Sequence, residues 1–224
     1  VSLYEPYRET PMIRSVERVD CGQDAEGFDA VAVRVELIDG ATDWLLSARG
    51  EGTIAVPGGP SFNGRLAWLR LRDGEVERAS LISGTELALG EFRLTTDAPA
   101  LTGTIARMDR DLIGDGRIWV EADLPTDDTL VGQQIVIEND GARNACYTVE
   151  RVERDGDLTM LSLGDVSFIR DFVDRSDYSR GYVYDFEEGA AFTIPHHVSV
   201  DRRGGNAAEI LTTSQASLTV EEGE

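Results

Sequence analysis

The sequence predicts an all-β protein, an antiparallel β-sandwich or pair of sandwiches built from many short strands with little helix. Apolar and polar residues alternate with a period of two along most of the chain. Turn residues, often the pair Asp-Gly, separate these runs at intervals of roughly 8 to 12 residues. No segment carries the apolar stripe of an amphipathic helix, and 224 residues suffice for one large β domain or two small ones.

The first half of the chain is predicted to form consecutive hairpins. Residues 28–38 alternate, Asp39-Gly40 supplies a turn, and residues 43–47 resume the strand pattern. The Asp73-Gly74 pair joins two further runs in the same way. The remaining strands predicted before residue 96 are 52–56, 66–72, 75–82, 86–89 and 91–95.

The second half repeats this pattern after an interruption at Asp97-Ala98-Pro99. Its predicted strands are 101–109, 117–122, 134–138, 145–154, 158–163, 181–184 and 191–199. We therefore predict a first β-sandwich portion at 1–96, a second β portion at 97–201 packed against it, and a C-terminal strand with a frayed acidic tail at 202–224. A single composite β domain is the alternative.

The charge balance restricts the possible partners. The chain has 42 acidic and 21 basic residues, a net charge of −21, and every basic residue is an arginine. Such a surface repels nucleic acid and anionic membranes, and no apolar run reaches the roughly 20 residues that span a bilayer. Acidity without lysine is typical of salt-adapted proteins, although a GC-rich genome explains the arginines equally well. We expect higher stability at molar salt, measured as melting temperature, because salt screens the self-repulsion.

Several kinds of catalysis are disfavoured by the residues present. Without lysine there is no Schiff-base or phosphate-loop lysine, and no G-x-S-x-G turn holds a nucleophile. His196 and His197 are the only histidines, and on one strand they point to opposite faces, so they cannot both bind one metal from it. Cys21 and Cys146 are predicted to be buried structural residues, and no disulfide is implied.

One stretch has the residue types of a calcium site. Asp109, Asp111 and Asp115 lie close together with Gly114 and Gly116, and Ca²⁺ prefers several carboxylate oxygens at one centre. The full calcium-loop pattern with its bidentate glutamate is missing, so a polar β-turn is the favoured interpretation. No other cofactor is predicted.

Aromatic residues offer a possible sugar platform, because flat rings stack on sugar faces. The candidates are Trp119, Tyr147, Tyr178 and Tyr182, with burial favoured for Trp119 and Tyr147; Trp44 and Trp68 are predicted core residues. Residues 168–180 mix three arginines and three aspartates with aromatics and lack a clean period. This segment is either a functional loop or an exposed connection held by salt bridges.

Several motifs together resemble a known family. They are Tyr4-Glu5-Pro6-Tyr7-Arg8, residues 13–17, 39–44 and 132–135, Asn139-Asp140-Gly141-Ala142-Arg143-Asn144-Ala145-Cys146-Tyr147, and residues 163–170. Across residues 4–195 the chain resembles the C-terminal β-rich region of heparinase II/III-like polysaccharide lyases. That family joins a helical toroid to β-sandwich domains and cleaves uronate-containing polysaccharides by β-elimination.

The resemblance implies a non-catalytic β region that supports a lyase core. The family's catalytic groups come mostly from the toroid and the earlier sandwich, so no catalytic residue is assigned here. Arg143, Asn144 and Arg170 are candidate ligands for sugar hydroxyls or carboxylates, and Tyr178 is a candidate platform. The implied partner is an acidic or neutral polysaccharide, or the catalytic domain itself, and the implied location is extracellular or at the cell envelope.

Two other functions remain open. The chain could be a stand-alone structural or assembly sandwich of an extracellular layer or filament, which would self-associate. It could also be an autonomous lyase that uses a tyrosine base and an arginine to neutralise the uronate, which would release an unsaturated product.

Overall fold

The structure is a computed structural model that describes residues 3–21, 30–49, 52–111, 113–202 and 209–212. The chain divides into two compact units. Unit 1 contains the described residues up to Pro99 and those from His196 onward, and unit 2 is Ala100–Pro195. The predicted antiparallel all-β class is confirmed, since the described strands all pair antiparallel and the only helical pieces among them are two short 3-10 turns, Asp128–Leu130 and Tyr178–Arg180.

Unit 1 contains a nine-stranded sheet. Its strands are β1 (Ile13–Val19), β2 (Ala30–Leu37), β3 (Thr42–Ala48), β4 (Ile54–Ala55), β5 (Ser61–Arg72), β6 (Glu75–Leu89), β7 (Phe92–Thr95), β17 (His197–Asp201) and β18 (Glu209–Thr212). Seven of them follow the order β1-β2-β3-β5-β6-β17-β18, while β4 pairs with β5 and β7 pairs with β6. The predicted hairpin turn at Asp73-Gly74 is present, with positive φ at both residues.

Two glycines bring the long strands β5 and β6 close together in the middle of unit 1. The β5–β6 register shifts between Asn63 and Gly64, and Ser83 has a positive φ of 49° beside Gly84. A Cβ on Gly84 would lie 2.5 Å from the carbonyl oxygen of Asn63, so only glycine fits there. The strands on both sides of this point contribute to one core, whose largest fully buried members include Phe62, Leu46, Leu69, Leu81, Leu87 and Leu94.

Unit 2 contains a seven-stranded sheet and a separate hairpin. Its strands are β8 (Ala100–Met108), β9 (Asp115–Val120), β10 (Gln134–Ile137), β11 (Ala145–Thr148), β12 (Arg151–Asp155), β13 (Leu158–Asp165), β14 (Ile169–Phe172), β15 (Tyr182–Tyr184) and β16 (Ala191–Pro195). The sheet order is β11-β10-β16-β8-β9-β13-β12, and β14 and β15 pair only with each other. Strands near the two ends of this order, β10 and β13 among them, contribute side chains to one core.

The chain enters and leaves unit 2 on neighbouring strands. Ala100 at the start of β8 pairs with Pro195 at the end of β16. In unit 1, the His196 N–H donates to the Pro99 carbonyl oxygen at 3.0 Å. The run predicted as one strand at 191–199 is therefore two strands, β16 and β17, that belong to different sheets.

Other predicted elements differ from the structure in informative ways. The run at 145–154 is divided into β11 and β12, because the Val149 N–H donates to Gln133 and the Glu150 N–H donates to Ser162. Strands β1 and β14 were not predicted. Cys21 is half-buried and Cys146 is exposed, so the predicted burial of Cys146 was wrong, and both are free thiols. Among the described helical residues, none forms a helix long and apolar enough to cross a membrane.

Candidate functional site

The loop between β10 and β11 carries two of the predicted sugar ligands, Arg143 and Asn144. Its backbone is held by its own side chains: the Asn139 amide nitrogen donates to the Arg143 carbonyl at 2.7 Å, and the Gly141 N–H donates to the Asn139 side-chain oxygen at 2.9 Å. Such Asx turns give a short loop a defined shape. Asn144 lies exposed beside Arg143 in this ordered loop.

Arg170, on strand β14, reaches the same loop. Its Nη1 donates to the Asp140 Oδ1 at 2.7 Å, and the Ala142 N–H also donates to that carboxylate. The hydrogen bond from Arg170 and then the one from Ala142 lower the pKa of Asp140 to about 2. Asp140 is therefore ionised at neutral pH, and the pair links two motifs that lie 30 residues apart in the sequence.

Asp185 is the buried centre of this cluster. It is 3% exposed, and its Oδ2 accepts hydrogen bonds from the Arg143 Nη2 and, at 2.9 Å, from the Tyr147 hydroxyl. Its Oδ1 is buried and accepts no hydrogen bond from the described residues. A buried carboxylate of this kind fixes the arginine that covers it, because leaving the charge unpaired would be costly.

Tyr147 acts in the cluster as a hydrogen-bond donor. Burial, and then the hydrogen bond to Asp185, raise the pKa of its hydroxyl. A phenol with a raised pKa stays protonated at neutral pH and is a poor general base. Its ring packs edge-on against Phe168 and Phe186, with centroid distances of 5.4 and 6.1 Å.

The β14–β15 hairpin presents a second feature, a cluster of three aromatic rings. The Phe172 ring centroid lies 4.4 Å from that of Tyr178 and 5.4 Å from that of Tyr182. Tyr178 is 65% exposed, on the 3-10 turn that follows Asp177. We call Phe172, Tyr178 and Tyr182 the ring cluster.

Residues 168–180 contain the salt bridges of the predicted exposed connection, and their function as a binding loop stays a prediction. Ion pairs join Arg175 to Asp171 and Arg180 to Asp174, as an exposed connection held by salt bridges would show. The carboxylate of Asp177 accepts from the Ser179 N–H, which shapes the turn carrying Tyr178. The salt bridges therefore hold the turn while an aromatic ring stays accessible to solvent.

The structure thus brings Arg143 and Arg170 into one cluster and places Tyr178 in the ring cluster. Sequence reasoning missed Asp185 and Phe172. An acidic residue directly after the Tyr182–Tyr184 strand was the available signal for Asp185, but alternation does not show that such a carboxylate is buried. Trp119, another sugar candidate, is 7% exposed and its ring is covered by the Arg107 guanidinium at 3.8 Å.

The predicted calcium carboxylates line one cavity of about 290 Å³ in unit 2. Asp109 accepts from the Arg117 Nε at 2.6 Å, and Asp115 accepts from Ser162 and forms an ion pair with Arg151. The described residues hold no group of three or more histidine, cysteine or acidic side chains arranged to bind a metal. Calcium binding stays a prediction, and it requires calcium-dependent thermal stabilisation that Asp111→Ala abolishes.

Unit 1 has its own cavity, of about 530 Å³, near the turns at Gly40 and Gly74. Arg34, Thr42 and the buried Trp44 form part of its lining. None of the sugar-ligand or calcium residues predicted from the sequence lies there.

Comparisons of the chain with protein-family models, with curated proteins and with solved structures gave no match.

Proposed function

We propose that this chain is a non-catalytic β region of a uronate polysaccharide lyase of the heparinase II/III-like kind, and that unit 2 contacts the polysaccharide. The observation that carries the sugar contact is the exposed Tyr178 ring, supported by Phe172, on the β14–β15 hairpin that also carries Arg170. Exposed rings on shaped loops bind sugar faces by stacking, while nearby polar groups bind the hydroxyls.

Arginines on unit 2 can offset the charge repulsion between this chain and a uronate polysaccharide. A chain with a net charge of −21 repels a uronate polymer, so contact requires local positive groups. Arg143 donates to Asp185 through one nitrogen, and its side chain is 49% exposed, so other N–H groups face solvent. Guanidinium donors of this kind pair well with carboxylates.

The non-catalytic part of the proposal is supported by the protonation of Tyr147. This tyrosine lies beside Arg143, as a tyrosine base would lie beside a neutralising arginine, but its raised pKa makes it a donor. A chain that supports a separate catalytic domain needs only binding groups. The autonomous lyase is therefore the weaker alternative for this cluster.

The test measures binding of uronate oligosaccharides and of a neutral oligosaccharide to the whole chain by isothermal titration calorimetry. We expect Tyr178→Ala to weaken uronate binding about 5-fold, because ring stacking contributes roughly 1 kcal/mol. Tyr7→Ala is the matched control, since Tyr7 is also an exposed tyrosine, at 60%. Equal effects of the two changes, or no binding of any oligosaccharide, would contradict the sugar contact.

A separate readout tests the non-catalytic assignment. The chain is incubated with the same uronate polymers and the ultraviolet absorbance of an unsaturated product is followed. We expect no product. Product formation that Tyr147→Phe abolishes would establish the autonomous lyase instead.

A further inference from the structure

The outer face of unit 1 is the side of its sheet opposite the main core; on β2 it includes Val33 and Val35, which are buried in a smaller cluster with Leu37 and Ala41. The strand register arranges its side chains in three rows across the strands. The charged row is Val16, Val35, Asp43, Arg70, Arg78 and Asp201; the middle row is Arg18, Val33, Leu45, Trp68, Ser80 and Ser199; the apolar row is Val31, Ser47, Leu66, Ile82 and His197.

This face is more apolar than the solvent side of a sandwich usually is. Val16, Leu45 and Leu66 are 45%, 40% and 44% exposed, and Trp68, predicted to be a core residue, lies half-buried between Leu45 and Ser80. A contiguous exposed apolar patch on a soluble protein commonly marks an interaction surface.

The polar groups of the outer face already pair with one another. Arg70 binds Asp43 through two hydrogen bonds of 2.7 and 2.6 Å, and Arg78 forms an ion pair with Asp201 at 3.1 Å. The hydroxyls of Ser80 and Ser199 both bond to the His197 Nε2, at 2.8 and 2.9 Å, and to each other. Covering this face would therefore leave few polar groups without partners, which keeps the desolvation cost low.

The charge of the outer face also differs from that of the whole chain. The three rows contain three arginines and two aspartates, and the register continues the charged row to Glu209 of β18, opposite Asp201, so the formal charge is 0, whereas the chain carries −21. Two copies of this chain repel each other through most of their surfaces. They approach through the outer face without that local repulsion.

We propose that the outer face of unit 1 binds the outer face of a second copy of this chain. The two-fold axis runs across the strands, between the middle row and the apolar row. Trp68 of each copy then contacts Leu66 of the other, and the charged rows lie at the two rims. This places apolar groups at the centre and ion pairs at the edge, as in protein interfaces generally.

A two-fold axis parallel to the strands gives charge pairings that depend on its position. An axis parallel to the strands, between β5 and β6, would place Arg70 over Arg78 and Asp43 over Asp201 of the second copy. Four members of the charged row would then face a like charge, which is destabilising. An axis between β3 and β5 would instead place Asp43 over Arg70, and in that arrangement Trp68 would face Leu45 and not Leu66.

The size of the face predicts a weak dimer. Six strands spaced by about 4.8 Å, each showing about 20 Å of length, present roughly 500 Å². Stable interfaces bury about 800 Å² per partner, so association should need micromolar protein. Long-range repulsion between two copies should fall with added salt.

The experiment is sedimentation velocity of the whole chain, up to about 200 µM in about 2 M NaCl, conditions chosen to reveal a micromolar dimer. We expect a concentration-dependent dimer, and Leu66→Glu should weaken it about 100-fold or more, since the change occurs twice in each dimer. Ile113→Glu is the control, because Ile113 is an exposed apolar residue of unit 2. Leu45→Glu replaces Leu66→Glu if circular dichroism shows that the latter is unfolded.

A mixing experiment tests the proposed arrangement. Leu66→Glu and Trp68→Arg place opposite charges at positions that meet in the dimer, so the mixture should form a heterodimer that neither variant forms alone. A wild-type chain that stays monomeric, or a folded Leu66→Glu variant that dimerises normally, would overturn the proposal. Failure of the mixture to associate would overturn the Trp68–Leu66 contact. The residues involved are distinct from the sugar site, so either proposal can fail without the other.

Discussion

Unit 1 and unit 2 use the same alternating strands to produce different surfaces. In unit 1 the notable polar groups lie on one sheet face and pair with each other across neighbouring strands, as Arg70 does with Asp43. In unit 2 they lie on a loop and a separate hairpin, and join segments that are distant in sequence, as Arg143 does with Asp185. A paired flat face favours contact with another flat face, whereas loops around a ring cluster favour a smaller ligand.

Disrupting the close approach of β5 and β6 should change the free energy of unfolding the most. Gly84→Ala places a Cβ against the Asn63 backbone and should destabilise unit 1 by about 3 kcal/mol, since backbone must move. We expect unit 2 to keep its stability, because each unit has its own core. Trp119 is the one tryptophan of unit 2, so its fluorescence in a Trp44→Phe, Trp68→Phe background reports on that unit.

If the Trp119 fluorescence of unit 2 changes at the same urea concentration at which unit 1 unfolds, the chain is one cooperative domain instead of two. Gly84→Ala would then lower the urea midpoint of Trp119 fluorescence as much as it lowers the midpoint of unit 1 unfolding. The two units would then not be independently stable structures.

A smaller effect is expected in unit 2 when the buried carboxylate loses its cation. Arg143→Ala leaves Asp185 with only the Tyr147 hydroxyl, and should reduce the free energy of unfolding by about 2 to 3 kcal/mol, allowing for the partial exposure of the arginine. Arg175→Ala is the matched control, because that arginine is 78% exposed in its pair with Asp171 and should change stability by less than about 0.5 kcal/mol. Similar losses in chemical denaturation would contradict the central role of Asp185.

The units should also differ in their response to acid. Both histidines lie in unit 1, and burial lowers the pKa of each below its usual 6.5. The unfolded chain therefore binds protons first as the pH falls below 6.5, so unit 1 loses stability between that pH and the lower pKa values of the folded state. Urea unfolding at successive pH values measures this loss, and His196→Leu with His197→Gln should flatten it. An unchanged slope in the double variant would exclude the histidines as its source.

The weakest effect on stability is expected in unit 2 at alkaline pH. The pKa of Tyr147 is raised above its usual 10.0, so its contribution to stability is complete below pH 10 and is lost as the pH rises toward the folded value. Tyr147→Phe should make the stability of unit 2 less dependent on pH in this range. Tyr178→Phe is the control, because Tyr178 is largely exposed. Identical alkaline curves for wild type and Tyr147→Phe would contradict the assignment.

The class of fold can be predicted from the sequence alone, because a period of two and regular turn residues specify antiparallel strands locally. The Asp73-Gly74 turn follows from such a local pattern. Arg143 and Arg170 could be selected as candidate ligands, but their partners Asp185 and Asp140 could not, since pairing across 42 and 30 residues is invisible to a local pattern.

Which strands share a sheet, and which apolar residues stay exposed, depends on long-range pairing and packing. The run at 191–199 was predicted to be one strand, yet it divides at His196 because its two halves pair with β8 and β6 of different units. Trp68 has the alternating neighbours of a core residue, but its row faces away from the core. Alternation specifies that two faces differ, and only the packing of the sheet decides which of them is covered.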